Sequence, residues 1–129
     1  MKNSIFIFLF VICSLLIGIC NAQWEQVSNG MGNKSVYSLA YSGNNIFAGT
    51  FSYGVYKSTD NGTTWTQTFL NNRDVFALAV SGNYVFAGCG GSGVYLSTNN
   101  GTTWTQTSLT LDVYSLAVNG NNIFAGTAN

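Results

Sequence analysis

Residues 36–68 of this chain read VYSLAYSGNNIFAGTFSYGVYKSTDNGTTWTQT, and residues 75–107 read VFALAVSGNYVFAGCGGSGVYLSTNNGTTWTQT. A third copy, VYSLAVNGNNIFAGT, begins at Val113. A repeat of about 40 residues that consists of short β-prone runs is typical of propellers and related arrays, because each unit buries its faces against its neighbours. The sequence therefore predicts an all-β propeller with roughly 39 residues to a blade, of which about two and a half blades are present.

Each unit reads as four short strands, which we call A to D, separated by turns rich in Gly, Asn and Ser. The first unit, residues 36–69, has predicted strands at 36–41, 46–50, 55–58 and 64–69. The second unit, residues 75–108, repeats them at 75–80, 85–89, 94–97 and 103–108. The third unit, residues 113–129, contains only strand A at 113–118 and strand B at 123–127. We expect each complete unit to form a four-stranded antiparallel blade.

The first 22 residues have the layout of a secretory signal peptide: a positive start at Lys2, an apolar run at 5–19, and small residues before Gln23. The apolar run is short for a membrane span of about 20 residues. An uncleaved anchor is the alternative, whereas a lipoprotein would need a small residue where Ile19 stands. We therefore expect a mature chain of residues 23–129 that is free of the membrane and is secreted, periplasmic or on the cell surface of a bacterium.

The composition of residues 23–129 excludes several functions. Three cations stand against four acids, a formal charge of 3 − 4 = −1: Lys34, Lys57 and Arg73 against Glu25, Asp60, Asp74 and Asp112. Without a basic patch the chain has nothing to attract a phosphate backbone, so nucleic acid is not an expected partner. The chain has no histidine, the commonest metal ligand and general base, and we expect neither a metal nor a cofactor. Cys89 is the only cysteine left after cleavage, so no intrachain disulfide can form.

The most specific motif lies between strands C and D and occurs twice. Residues 58–65 read STDNGTTW and residues 97–104 read STNNGTTW. Both resemble the Asp-box, or bacterial neuraminidase repeat, whose pattern is Ser-x-Asp-x-Gly-x-Thr-Trp. The resemblance covers essentially all of the mature chain and implies a β-propeller. The matching residues are Ser58, Asp60, Gly62 and Trp65 in the first copy, and Ser97, Asn99, Gly101 and Trp104 in the second, where Asn99 replaces the Asp.

The residue types of this motif are those of a capped turn. The Asp60 carboxylate can accept backbone N–H bonds, and Gly62 can adopt a positive φ. Trp65 can then bury a large ring at the start of strand D. Asn99 can still act as an acceptor in the second copy. We therefore expect the motif to be structural, neither catalytic nor a calcium loop, since an EF-hand needs ligands at several further positions.

Propellers with Asp-boxes include sialidases, xyloglucan-active glycosidases, sortilin-type receptors and photosystem assembly factors, so the resemblance implies no single reaction. A sialidase needs several arginines, and the mature chain has only Arg73. A glycosidase needs two acids across a cleft, and Asp74 and Asp112 are the only pair at matching repeat positions. The competing interpretation of both is an Asp that ends a loop and caps the entry into strand A.

Any ligand surface is predicted on the side of the propeller where the loops vary. The A–B and C–D turns share one side and are almost identical between units, whereas the B–C and D–A loops share the other side and differ. Varied loops on a rigid scaffold are where recognition evolves. The predicted ligand-binding residues are Phe51, Tyr53, Arg73, Asp74 and Asp112.

Two functions fit these observations. The favoured one is an exported, non-catalytic propeller that binds an extracellular glycan or protein. The alternative is the N-terminal part of a sialidase- or xyloglucanase-like glycoside hydrolase whose catalytic residues lie mostly beyond residue 129; an assembly factor that binds a protein partner is a third hypothesis. We expect the remaining blades in a longer chain, because head-to-tail association of copies would join strands A and B to a strand D at 24–27 and leave that blade without strand C.

Overall fold

The computed structural model describes residues 25–128, which form an all-β structure of ten strands without a helix. The predicted signal peptide, Trp24 and Asn129 lie outside the described residues. Blade 1 consists of β1 (Val36–Ser42), β2 (Asn45–Thr50), β3 (Gly54–Ser58) and β4 (Thr66–Gln67). Blade 2 consists of β5 (Val75–Ser81), β6 (Tyr84–Cys89), β7 (Gly93–Ser97) and β8 (Thr105–Gln106). The third unit consists of β9 (Val113–Asn119) and β10 (Asn122–Thr127).

The strands of each blade pair in sequence order, and every pair is antiparallel. Blade 2 repeats the register of blade 1: Ile46 faces Ser58 across β2 and β3, and Val85 faces Ser97 across β6 and β7. This arrangement confirms the prediction of a partial propeller of four-stranded antiparallel blades. Residues 25–128 contain no helix of the length and apolar character that a membrane crossing requires.

Strand D is shorter than predicted in both blades. The ladder covers Thr66–Gln67 in place of 64–69 and Thr105–Gln106 in place of 103–108. At the start of strand D in blade 1, the Thr64 N–H is not available to the ladder, because it donates to the Asp60 carboxylate at 2.8 Å. At the other end the Thr68 hydroxyl accepts the Leu70 N–H at 3.3 Å, which turns the chain away.

The segment that precedes blade 1 contacts that blade. Residues 25–28, part of the stretch whose sequence matches the start of strand D, form no strand in this structure. The Val27 carbonyl accepts the Trp65 indole N–H at 3.0 Å, and the Asn29 carbonyl accepts the Trp65 backbone N–H at 2.8 Å. Met31 is buried against Ala48, Tyr56 and Trp65. The described part of this segment therefore braces blade 1 and pairs with no other strand.

The loops divide between two sides of the molecule. The C–D turn of blade 2 contacts its A–B turn, where Asn100 N donates to the Asn83 carbonyl at 3.2 Å. The B–C loop of blade 1 contacts its D–A loop, where Gly54 N donates to the Arg73 carbonyl at 2.9 Å. We call the side of the A–B and C–D turns the turn face, and the side of the B–C and D–A loops the loop face.

The core lies between blades 1 and 2 and combines side chains from both. Its buried members are Phe47, Val55, Leu70, Val75, Val85, Ala87 and Cys89. Tyr95 and Trp104 of blade 2 pack against this cluster from a half-buried position. Neither blade has a complete core of its own, because the apolar face of one sheet is covered by the next sheet.

Candidate functional site

The first motif turn is held by a closed set of hydrogen bonds on the turn face. The Ser58 hydroxyl donates to Asp60 Oδ1 at 2.8 Å and accepts the Gly62 N–H at 2.9 Å. Thr64 donates its N–H to Asp60 Oδ1 at 2.8 Å and its hydroxyl to Asp60 Oδ2 at 2.7 Å. The hydrogen bonds from Thr64, and then from Ser58, lower the pKa of Asp60. Gly62 has a φ of 87°, and Trp65 is buried.

The second motif turn repeats these contacts with an amide. Asn99 Oδ1 accepts the Ser97 hydroxyl at 3.0 Å and the Thr103 N–H at 2.8 Å. Asn99 Nδ2 donates to the Thr103 hydroxyl oxygen at 2.9 Å, and Gly101 has a φ of 78°. Both turns therefore use their polar groups internally, which is the geometry of a capped turn.

The two acids predicted for the loop face hold the B–C turns of the blades that precede them. Asp74 Oδ1 accepts the Ser52 N–H at 2.8 Å and the Ser52 hydroxyl at 3.2 Å. Asp112 Oδ1 accepts the Gly91 N–H at 2.5 Å, and its Oδ2 accepts the Tyr114 hydroxyl at 3.4 Å. The acids thus cap the B–C turns. The competing interpretation of the sequence had instead placed each cap at the entry into strand A.

The loops of the loop face also contain the other three predicted residues, Phe51, Tyr53 and Arg73. Phe51 stands 6.0 Å from the Tyr37 ring, centroid to centroid. Arg73 donates from Nε to the Tyr95 hydroxyl at 3.3 Å, and this bond raises the pKa of the guanidinium further. Tyr53 lies under Lys34, whose Nζ is 4.2 Å from the centre of the ring.

A row of aromatic rings on strand A is the feature that sequence reasoning missed. Tyr37, Phe76 and Tyr114 each occupy the second position of strand A. Tyr37 meets Phe76 edge to face at 5.5 Å, and Phe76 stacks on Tyr114 at 5.2 Å. We call these three residues and Phe51 the aromatic row. The signal in the sequence was the repeated aromatic residue in VYSLA, VFALA and VYSLA.

Each strand-A aromatic residue of the row occupies the same irregularity in its sheet. The pairing of β1 with β2 skips Tyr37, that of β5 with β6 skips Phe76, and that of β9 with β10 skips Tyr114. A β-bulge leaves its extra residue unpaired and re-aims the side chain, and such bulges are frequent beside binding sites. Tyr37 is 57% exposed and Tyr114 is 52% exposed. The repeat thus places one bulged aromatic side chain in each unit, which is exposed in the first and third units and half-buried in the second.

A polar groove of about 560 Å³ lies beside the aromatic row on the loop face. Its lining residues are Ser52, Asn72, Arg73, Asp74, Gly90, Gly91 and Ser92. Gly90 connects the groove to the row, because a Cβ at this position would lie 2.7 Å from Cε2 of Phe76. Gly90 stands where blade 1 has Phe51, so the small residue is what lets the Phe76 ring approach. Arg73, Asp74 and the row therefore belong to one surface.

Cys89 does not offer a reactive thiol at this surface. Cys89 is fully buried, and burial raises the pKa of its thiol to about 12. Among residues 25–128, no three acidic, cysteine or histidine side chains come together as a metal site would require. What the loop face presents is an aromatic platform beside a groove of hydroxyl, amide and backbone groups, together with the charged side chains of Arg73 and Asp74.

Similar proteins support the fold and leave the family open. No family model and no curated protein matches the chain. An ancestral GH74 enzyme has a TM-score of 0.60 and 19% identity over 78% of this chain and 19% of its own. The extracellular domain of a protein assigned as a one-component system in B. thetaiotaomicron has a TM-score of 0.59 and 22% identity over 81% of this chain and 16% of its own.

A third similar structure is the computationally designed protein Ika4, with a TM-score of 0.56 and 15% identity over 71% of this chain and 59% of its own. The chain thus spans less than a fifth of the length of the GH74 enzyme and of the B. thetaiotaomicron domain. At these identities the likeness shows the fold alone. The resemblance to the Asp-box family rests on the motif residues.

Proposed function

We propose that this chain belongs to an exported, non-catalytic propeller that binds a neutral glycan through its loop face. The observation that carries the proposal is the aromatic row, in which the repeat places a bulged aromatic residue in every unit. A pyranose ring has a face of C–H groups, which loses contact with water when it packs on an aromatic side chain. The hydroxyl groups of the sugar would find donors and acceptors in the adjacent groove.

The charges of the loop face favour a neutral ligand. Its cations are Lys34 and Arg73, and its acids are Asp74 and Asp112, so they balance. Lys34 lies over the Tyr53 ring, and both acids hold B–C turns. A surface that binds a polyanion needs an excess of positive charge. Stacking and neutral hydrogen bonds are the interactions that this face offers.

The test is binding of the full chain to a panel of neutral polysaccharides, followed by titration calorimetry on the one that binds best. Tyr37→Ala should weaken binding about 10- to 100-fold, because burying an aromatic ring contributes about 1.5–3 kcal/mol. The matched control is Tyr84→Ala, since Tyr84 is 50% exposed but lies beside the A–B turn on the turn face. Equal losses in the two variants, or no binding across the panel, would contradict the proposal.

The second candidate is the glycoside hydrolase predicted as the alternative. It is supported by the fold shared with a GH74 enzyme and by Asp74 and Asp112 at equivalent positions. Against it, one oxygen of each acid holds a neighbouring turn. Turnover of a bound polysaccharide that Asp74→Asn abolishes while binding persists would establish the hydrolase. Binding without release of sugar would leave the glycan-binding function.

A further inference from the structure

A second groove, of about 250 Å³, lies between strand D of blade 1 and the C–D turn of blade 2. We call it the lateral groove. Its walls include Lys57, Thr59, Thr66 and Phe69 of blade 1 and Thr102 of blade 2. The lateral groove shares no lining residue with the groove on the loop face. Both of its walls belong to complete blades, so the site is formed by residues that the structure describes.

Two side chains of the lateral groove depart from the repeat. Residues 54–70 read GVYKSTDNGTTWTQTFL and residues 93–109 read GVYLSTNNGTTWTQTSL, so the two stretches differ at three positions. Lys57 and Phe69 occupy two of these positions, where blade 2 has a leucine and a serine. Blade 2 nevertheless forms the same strands in the same register. The fold therefore requires neither the lysine nor the phenylalanine of this groove.

Lys57 is held in place from the opposite wall of the groove. Its Nζ donates to the Asn100 carbonyl of blade 2 at 2.9 Å and lies 5.7 Å from the centre of the Phe47 ring. An ammonium group has three N–H donors, and Asn100 is the one acceptor for this group among residues 25–128. Two donors are therefore left for a bound molecule. Because the ammonium is already fixed, it loses little side-chain freedom on binding.

The groove combines an exposed aromatic ring with polar groups and little net charge. Phe69 is 82% exposed, the largest exposed fraction of any large apolar side chain among the described residues. The hydroxyl groups of Thr59 and Thr66 stand in the same groove. Lys57 is its one charged lining residue, and the Asp60 carboxylate that binds the lining residue Thr64 supplies the opposite charge. The groove therefore suits an uncharged ligand that has both C–H and hydroxyl groups.

We propose that the lateral groove is a second binding site, for a neutral sugar residue that stacks on Phe69 and accepts a hydrogen bond from Lys57 Nζ. A pyranose has C–H groups on its face, which leave water when they pack on an aromatic ring, and hydroxyl groups at its rim. Ligand pockets usually start at about 300 Å³, so a groove of about 250 Å³ suits one sugar ring. The proposal does not rest on the loop face, because the two grooves have no residue in common.

The test is a heteronuclear NMR titration of the full chain with neutral gluco-, xylo- and mannooligosaccharides. A sugar in the lateral groove should shift the backbone amide signals of Thr66 and Thr102, which line it on its two sides. A sugar on the loop face should instead shift those of Ser52 and Gly91. Binding at the two sites is thus measured separately in one experiment.

Two variants give blade 1 the residues that blade 2 has at the same positions, Ser108 and Leu96, and should therefore fold. Phe69→Ser should weaken binding in the lateral groove about tenfold or more, because the stacking ring is lost. Lys57→Leu should weaken it about three- to tenfold, because a hydrogen-bond donor is lost. Tyr84→Ser is the matched control, since this exposed aromatic residue lines neither groove.

The expected result for Phe69→Ser is loss of the shifts at Thr66 and Thr102 while those at Ser52 and Gly91 remain. The proposal is overturned if no oligosaccharide shifts the Thr66 and Thr102 signals of the wild type. It is also overturned if Phe69→Ser binds there as tightly as the wild type does. Missing shifts at Ser52 and Gly91 alone would contradict the function proposed for the loop face and leave the lateral groove supported.

Discussion

At the scale of single residues, the two motif turns differ by one functional group and form a natural pair. In the first turn the Thr64 hydroxyl donates to Asp60 Oδ2, and in the second the Thr103 hydroxyl accepts from Asn99 Nδ2. A hydroxyl group can do either, so the same turn is compatible with a carboxylate or an amide. What differs is that only the carboxylate can be protonated.

Asp60→Asn should therefore reduce the dependence of stability on acid pH. Hydrogen bonds lower the pKa of Asp60 in the folded state, so its carboxylate stabilises the fold above its unfolded pKa of about 3.9. That contribution is lost as the pH falls through the folded pKa. Urea unfolding of the wild type and Asp60→Asn should give free energies that differ at neutral pH and converge at acid pH.

The reciprocal change is the control for this prediction. Asn99→Asp places a carboxylate in the second turn, where Ser97 and Thr103 already offer hydrogen bonds. In Asn99→Asp the free energy of unfolding should fall more at acid pH than it does in the wild type, whereas in Asp60→Asn it should fall less. If the two variants have the same pH profile, the carboxylate of the motif is not the group that titrates.

At the scale of the strand, Gly49 in β2 sets the distance between blades. Gly49→Ala should destabilise the chain by about 1–3 kcal/mol, because its Cβ would overlap with Val75 of blade 2. Gly126→Ala is the matched control: both new methyl groups meet the serine opposite, Ser38 or Ser115, but only the first meets a valine from the next blade. Denaturant unfolding of both variants measures the difference. Equal losses would mean that the serine contact, and not the distance between blades, is what limits this site.

The strand scale also shows what the sequence could and could not predict. Three strands per blade were predicted to within a residue, because alternating apolar runs and Gly-Asn turns mark them locally. The short strand D was not, since side chains of Asp60 and Thr68 take backbone groups that the ladder would use. The aromatic row was missed because simple alternation gives the positions of Tyr37 and its equivalents no special role. The bulge that singles them out depends on register with strand B.

At the scale of the whole molecule, blades 1 and 2 share one core. Phe47, Val55 and Leu70 come from blade 1, and they pack with Val75, Val85, Ala87 and Cys89 of blade 2. In repeat proteins each unit is stabilised by its nearest neighbours as well as by its own contacts. A substitution that destabilises the core in one blade should therefore lower the stability of the next blade as well.

Val55→Ala tests this coupling, because it removes two buried methyl groups and should cost about 2 kcal/mol. Native-state hydrogen exchange should show reduced protection in β6 of blade 2 as well as in β2 of blade 1, since the blades open together when they share a core. Val27→Ala is the control, because Val27 is exposed and lies outside this cluster. Loss of protection confined to β1–β4 would show that the blades unfold independently. In that case the sheet of each blade, and not the packing between blades, would be the cooperative unit.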